Sequence, residues 1–201
     1  MTPLHLYVGE KIQGDFEPKK LNLLLNFQVN CPGCFLYALP TFNKLYKKYN
    51  NDLGFLALST AFEDFDVNTT KNTIDLVNEG TLVGHTKHAL AEYGYDKLQI
   101  QPEFPIAMDK KMESSQIDEI TEKICLLNPN FSIWSNYDQD LFLKKVKNYL
   151  VKLPEVSLTF TTNQFRGTPT FTLFNNDNEI LHSWFGHVKI AEITTKINSF
   201  N

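Results

Sequence analysis

Cys31 and Cys34 are separated only by Pro32 and Gly33, and they stand where a long apolar run gives way to a helical stripe. Two thiols spaced this way at the first turn of a helix can close a disulfide without deforming the backbone. The unpaired N–H groups and the positive dipole end of that turn favour the thiolate of the cysteine nearer the N-terminus. Cys31 is therefore the expected nucleophile. Its attack on a substrate disulfide would give a mixed disulfide, which Cys34, one turn further in, would resolve by displacing the substrate thiol. Pro32 has its φ preset for a first helical turn and lacks an N–H, while Gly33 leaves space for a substrate backbone. Half of a zinc site is the other chemistry open to such a pair. That would need two more ligands, and there is no second CxxC, while Cys125, His85, His88, His182 and His187 show no ligand spacing to match. No cofactor and no metal are expected, because the thiols themselves carry the electrons.

The elements that must position these thiols can be read on either side of them. Leu21 to Val29 (LNLLLNFQV) is nearly continuous in apolar residues, as expected of a central strand covered on both faces. From Gly33 to Asn50, Phe35, Leu36, Leu39, Phe42, Leu45, Tyr46 and Tyr49 recur every three or four positions and predict a helix, kinked at Pro40. Leu53 to Thr60 is a second buried-type strand, so the three segments form a parallel βαβ unit and the fold is expected to be α/β. Upstream, Leu4 to Val8 reads as a short edge strand and Gly9 to Lys20 as loop. Downstream come one or two helices within Asn68 to Gly94 and a candidate strand at Phe104 to Asp109. The stretch 110–165 is expected to be a helical insertion, with helical periodicity at Ile117 to Leu127 and Asp140 to Leu153. The chain closes with a hairpin, Thr170 to Asn175 and Glu179 to Phe185, and a final helix striped by Ile190, Ile193, Ile197 and Phe200.

This order of strand, CxxC, kinked helix and parallel strand, followed much later by Gly167-Thr168-Pro169-Thr170-Phe171, a hairpin and a last helix, resembles the thioredoxin superfamily. Leu21 to Cys34, Phe55 to Asp64 (FLALSTAFED) and Phe104 to Asp109 look like its TlpA/ResA-type redoxin group. The resemblance implies an α/β thioredoxin-like fold, a central mixed sheet flanked by helices with the helical insertion before the cis-proline strand, and a thiol–disulfide oxidoreductase. It implies a cis peptide bond at Thr168-Pro169, facing the CxxC and offering backbone groups to an extended substrate strand. Substrate contact is thereby assigned to Pro32, Gly33, Thr168 and Pro169, and catalysis to Cys31 and Cys34. The implied partners are protein disulfides or thiols and a redox partner.

Three departures from the family pattern are visible. Asn30 stands where many members have a Trp beside the first cysteine, Leu25 and Tyr37 stand where many carry a buried acid, and the insertion before Pro169 is long. Two other functions have points of resemblance. A peroxiredoxin-like peroxidase would have a threonine three residues before its cysteine, where this chain has Gln28. A copper-delivering module would use CxxxC with a distal histidine, for which His182 or His187 would have to serve. Cys125, in the apolar run Ile124-Cys125-Leu126-Leu127, is expected to be an inert buried residue. Trp134 and Trp184 read as packing anchors, and Phe62 to Asp66 as a solvated acidic loop.

Bulk properties narrow the field further. With 201 residues, 42% hydrophobic and 21% charged, the chain can bury one sizeable core, and a single domain, 1–201, is expected to contain the insertion. A net charge of −4 and scattered lysines offer no basic surface for nucleic acid. No run approaches the roughly 18 apolar residues of a membrane span, and Met1 to Glu10 does not read as a leader. Three unevenly spaced cysteines suit a cytoplasmic protein better than a stapled secreted one, unless a leader has been removed.

Overall fold

The computed structural model describes residues 2–200. Its strands are β1 (Thr2–Pro3), β2 (Val8–Gln13), β3 (Leu21–Phe27), β4 (Gly54–Ser59), β5 (Ile106–Asp109), β6 (Thr170–Asn175) and β7 (Glu179–Phe185). They form one mixed sheet in the order β1-β7-β6-β3-β4-β5-β2. The strand leading to the cysteines, β3, lies at its centre, parallel to β4 and antiparallel to β6. All seven of its residues are buried, and their alternation sorts them between two cores. Leu21, Leu23, Leu25 and Phe27 join Phe35, Leu39, Phe42 and Leu45 on one face, while Leu24 joins Leu56, Leu58 and Phe174 on the other.

The helices are α1 (Leu39–Tyr49), α2 (Thr70–Glu79), α3 (Gly84–Ala91), α4 (Ile117–Leu126), α5 (Asn136–Lys152), α6 (Leu158–Thr162) and α7 (Ile190–Asn198). A π-helical turn, Cys34–Ala38, precedes α1, closed by the Leu39 N–H on Cys34 O. Pro40 follows directly, within the first turn of α1. Having no N–H, it cannot continue the α-helical ladder back into the cysteine turn, and the wider turn takes up the break that the sequence predicts as a kink. Among the described residues no helix is long and apolar enough to cross a membrane.

The stretch Gly9 to Lys20 is not all loop. Val8–Gln13 pairs antiparallel with β5 at the sheet edge, across two register irregularities. Glu10 and Lys11 are exposed there and only Ile12 packs on the core, so the strand lacks the apolar alternation that would announce it. A charged edge strand of this kind discourages pairing with other chains. Leu4 to Val8, conversely, is not one strand: β1 pairs with β7 only over Thr2 and Pro3, Leu4 is buried against Leu24 and its neighbours, and β2 begins at Val8.

Between β5 and β6, α4, α5 and α6 pack around Ile120, Ile124, Leu150, Val156 and Leu158. Trp134 joins Phe131 and Phe142 in an aromatic cluster at the start of α5. Asp109, the last residue of β5, ties this helical region to the sheet. Its carboxyl accepts the Thr159 and Phe160 N–H groups at 2.8 and 2.9 Å and the Thr60 hydroxyl at 3.1 Å.

Candidate active site

Cys31 follows β3 on the turn that opens the helix, half-buried, whereas Cys34 is fully buried under the first turn; both are free thiols. The Cys34 N–H donates to Cys31 Sγ at 3.3 Å and the Cys31 thiol donates to Thr168 O at 3.5 Å. Cys31 is held down to about 7 from an ordinary value of 9.0. The largest cause is hydrogen bonding from the Cys34 side chain, helped by Thr168 and the Cys34 and Gly33 N–H groups, and opposed by burial. Cys34 is pushed the other way, well above the ordinary thiol range, first by burial and then by the neighbouring Cys31. One thiol is thus poised to ionise near neutrality and the other to keep its proton.

The Thr168–Pro169 bond is cis. Pro169 faces the cysteine turn closely enough that a Cβ on Gly33 would stand 3.7 Å from Pro169 Cδ, in ordinary contact. Gly33 itself is in the right-handed helical region, φ −63° and ψ −31°, so its missing side chain serves openness here and not backbone freedom. The Pro169 carbonyl accepts the Gly186 N–H at 2.9 Å, and the Thr168 hydroxyl donates to Gln28 Oε1 at 3.0 Å. The structure therefore brings Cys31, Pro32, Gly33, Cys34, Thr168 and Pro169 together, across more than 130 residues of sequence.

Asn30 takes a part that could not be read from its position beside Cys31. Its backbone N–H donates to Asn68 Oδ1 (3.0 Å), its amide donates to Asp64 Oδ2 (2.8 Å), and its Oδ1 accepts the His85 N–H (2.6 Å). The Asn30 side chain thus pins the turn at Asp64 to the start of α3, while its backbone N–H holds the buried Asn68. Asp64 adopts φ +46°, tolerable for an Asp in a turn, and the Glu63 carbonyl accepts the Asn68 amide at 2.9 Å. The stretch Phe62 to Asp66 is accordingly a structured wall of the thiol loop and not merely solvated. An Asn directly before a CxxC and a second Asn closing an acidic turn were the available signals, but their pairing spans 38 residues.

Other residues singled out by sequence lie further from this chemistry. Tyr37, one turn past Cys34, stacks on His187 with ring centroids 4.2 Å apart. His182 lies against Trp184 at 4.4 Å on β7. Cys125 is fully buried in α4. Leu25 belongs to the apolar core beneath Cys34, so no carboxylate occupies that place.

Solved structures share this overall fold. A thiol-disulfide isomerase from Corynebacterium glutamicum superposes with a TM-score of 0.61 at 18% identity, over 98% of this chain and 94% of that one. A thioredoxin-like superfamily protein gives 0.57 at 17% identity, over 96% and 92%. The chain has the thioredoxin fold. A thioredoxin-like protein solved in its oxidised form extends the likeness, with a TM-score of 0.51 at 12% identity over 98% and 91%. No protein-family model and no curated protein matches the sequence. At these identities the thioredoxin likeness concerns the fold, and the chemistry has to be argued from the side chains.

Proposed function

We propose that the protein is a thiol–disulfide oxidoreductase of the TlpA/ResA type, exchanging disulfides with other proteins through Cys31 and Cys34. The observation that carries this reading is the split between the two thiols, Cys31 half-exposed and brought to about 7, Cys34 buried and kept protonated. Thiolate Cys31 attacks one sulfur of the substrate disulfide, forming a mixed disulfide and releasing the other substrate sulfur as thiolate. Cys34 then attacks Cys31 Sγ, its proton passing to the departing substrate thiolate, and the Cys31–Cys34 disulfide forms. Two electrons reach the substrate, and a dithiol redox partner returns them by the reverse sequence. Thr168 and Pro169 border the point of attack and supply the backbone against which a substrate strand would pair. A cytoplasmic setting, where thiols are kept reduced, would favour the reductase direction.

The test is equilibration in a glutathione series together with insulin reduction, using wild type, Cys31→Ser and Cys34→Ser. Wild type should form one reversible intramolecular disulfide and reduce insulin, Cys31→Ser should do neither, and Cys34→Ser should accumulate a mixed disulfide through Cys31. Absence of a reversible Cys31–Cys34 disulfide at every potential would sink the proposal.

A further inference from the structure

Arg166 is the single arginine of the sequence and it is exposed. Among the described residues its guanidinium is in no ion pair and lies over no aromatic ring. Such a group presents a rigid fork of donors matched to a carboxylate. It lines a cavity of about 280 Å³ together with Ala61, Phe62, Tyr149, Glu155 and Phe160. Phe62 and Phe160 stack with centroids 4.3 Å apart and planes within 4°, forming a flat apolar wall. Glu155 is the one carboxylate of the lining, and it is already held by Lys111. The uncompensated charge of the cavity is therefore the guanidinium.

Position links this cavity to the thiols. Arg166 is two residues before Thr168, so their backbones are at most about 7 Å apart, and the Thr168 carbonyl touches Cys31 Sγ. Elsewhere in the lining, Phe62 is two residues before Asp64, which holds the Asn30 amide next to Cys31. Glu63, Asp64 and Asp66 continue beyond Phe62 and do not line the cavity. Their negative charge disfavours an acidic group near Phe62 and leaves Arg166 as the place for one.

We propose that this cleft binds an acidic side chain of the substrate polypeptide close to its reacting cysteine. Arg166 takes the carboxylate, and the Phe62–Phe160 wall covers the apolar stem that carries it. The nature of the substrate rests on the thiol-exchange reading; the site itself does not.

Two probes test it. Labelled peptides with serine in place of the reacting cysteine, differing only in one flanking Glu or Gln, are titrated against the full chain by fluorescence anisotropy. The same peptides with cysteine joined to thionitrobenzoate report exchange through release of the coloured thiolate. Wild type should favour Glu over Gln by about tenfold in both, the scale of one charge-assisted hydrogen-bond pair. Arg166→Gln should bring the ratio to about one, Arg166→Glu should reverse it, and Lys144→Gln, an exposed cation of α5 outside the lining, should keep it. A charge-blind wild type, or an unchanged ratio in Arg166→Gln, overturns the cleft while leaving the redox reading intact. Binding of the Glu peptide through Arg166 with no exchange from any peptide would retain the cleft and overturn the redox reading.

Discussion

Asn30 and Gly84 meet so closely that a Cβ on Gly84 would lie 2.2 Å from Asn30 Oδ1, the atom that accepts the His85 N–H at 2.6 Å. Gly84 also has φ +50°, which a side chain resists. Gly84→Ala should therefore destabilise the protein by about 2–4 kcal/mol, combining overpacking with backbone strain. Asn30→Ala should cost about 1–3 kcal/mol through its lost hydrogen bonds. In the double variant the clash is gone and only the strain of Gly84→Ala should persist, so urea denaturation should show the two costs to be strongly non-additive. Simple additivity would mean that the two residues do not constrain each other.

Ionisation of Cys31 should depend on Cys34. In wild-type dithiol protein, the rate of Cys31 alkylation by iodoacetamide, followed by mass spectrometry, should rise with pH around a midpoint of about 7. Cys34→Ala removes the largest stabilising contact of the thiolate, and the midpoint should climb towards the ordinary thiol value of 9.0. A midpoint left near neutrality in Cys34→Ala would assign the effect to the helix terminus and Thr168 alone.

Asp109 should give stability a pH dependence opposite to that of a paired surface carboxylate. Burial raises it from 3.8 to about 6 despite the N–H and hydroxyl groups it accepts, so the folded state binds its proton more tightly than the unfolded state does. The benefit is fully present below about pH 4, declines as pH rises towards 6, and is gone above it. The lost stability is about 3 kcal/mol at most. Asp109→Asn cannot titrate, so the stability of wild type relative to this variant should fall between pH 4 and pH 7. A difference that stays constant, or grows with pH, would show the carboxylate to be stabilised in its charged form.

Much of the positioning machinery was legible because it is local or strongly periodic. The nearly continuous apolar run from Leu21 to Val29, the stripe from Phe35 to Tyr49 and the hairpin at Asn175 to Asn178 each carry their signal within a few residues. Strand β2 escaped because its edge position rewards charge, so Glu10 and Lys11 mask it. Asp109 escaped because a carboxylate at the end of an apolar strand looks like an ordinary exit to solvent, and its partners Thr159 and Phe160 are fifty residues on. The acidic turn at Asp64 looked solvated because composition reports charge and not the Asn30 amide waiting for it.

By itself the sequence determined which atoms can react: two thiols three positions apart at a helix start, a strand on each side of that helix, and a Thr-Pro far downstream. Such features follow from covalent spacing and backbone periodicity, which are properties of short segments. Tertiary structure alone decided what surrounds those atoms. It set Thr168 O against Cys31, buried Cys34, turned Asn30 into a clasp for the segments around it, and placed Arg166, in no ion pair among the described residues, in a cavity that the stacked Phe62 and Phe160 also line. Each of these joins residues separated by tens of positions, and burial and Coulombic contact act through space without regard to distance along the chain.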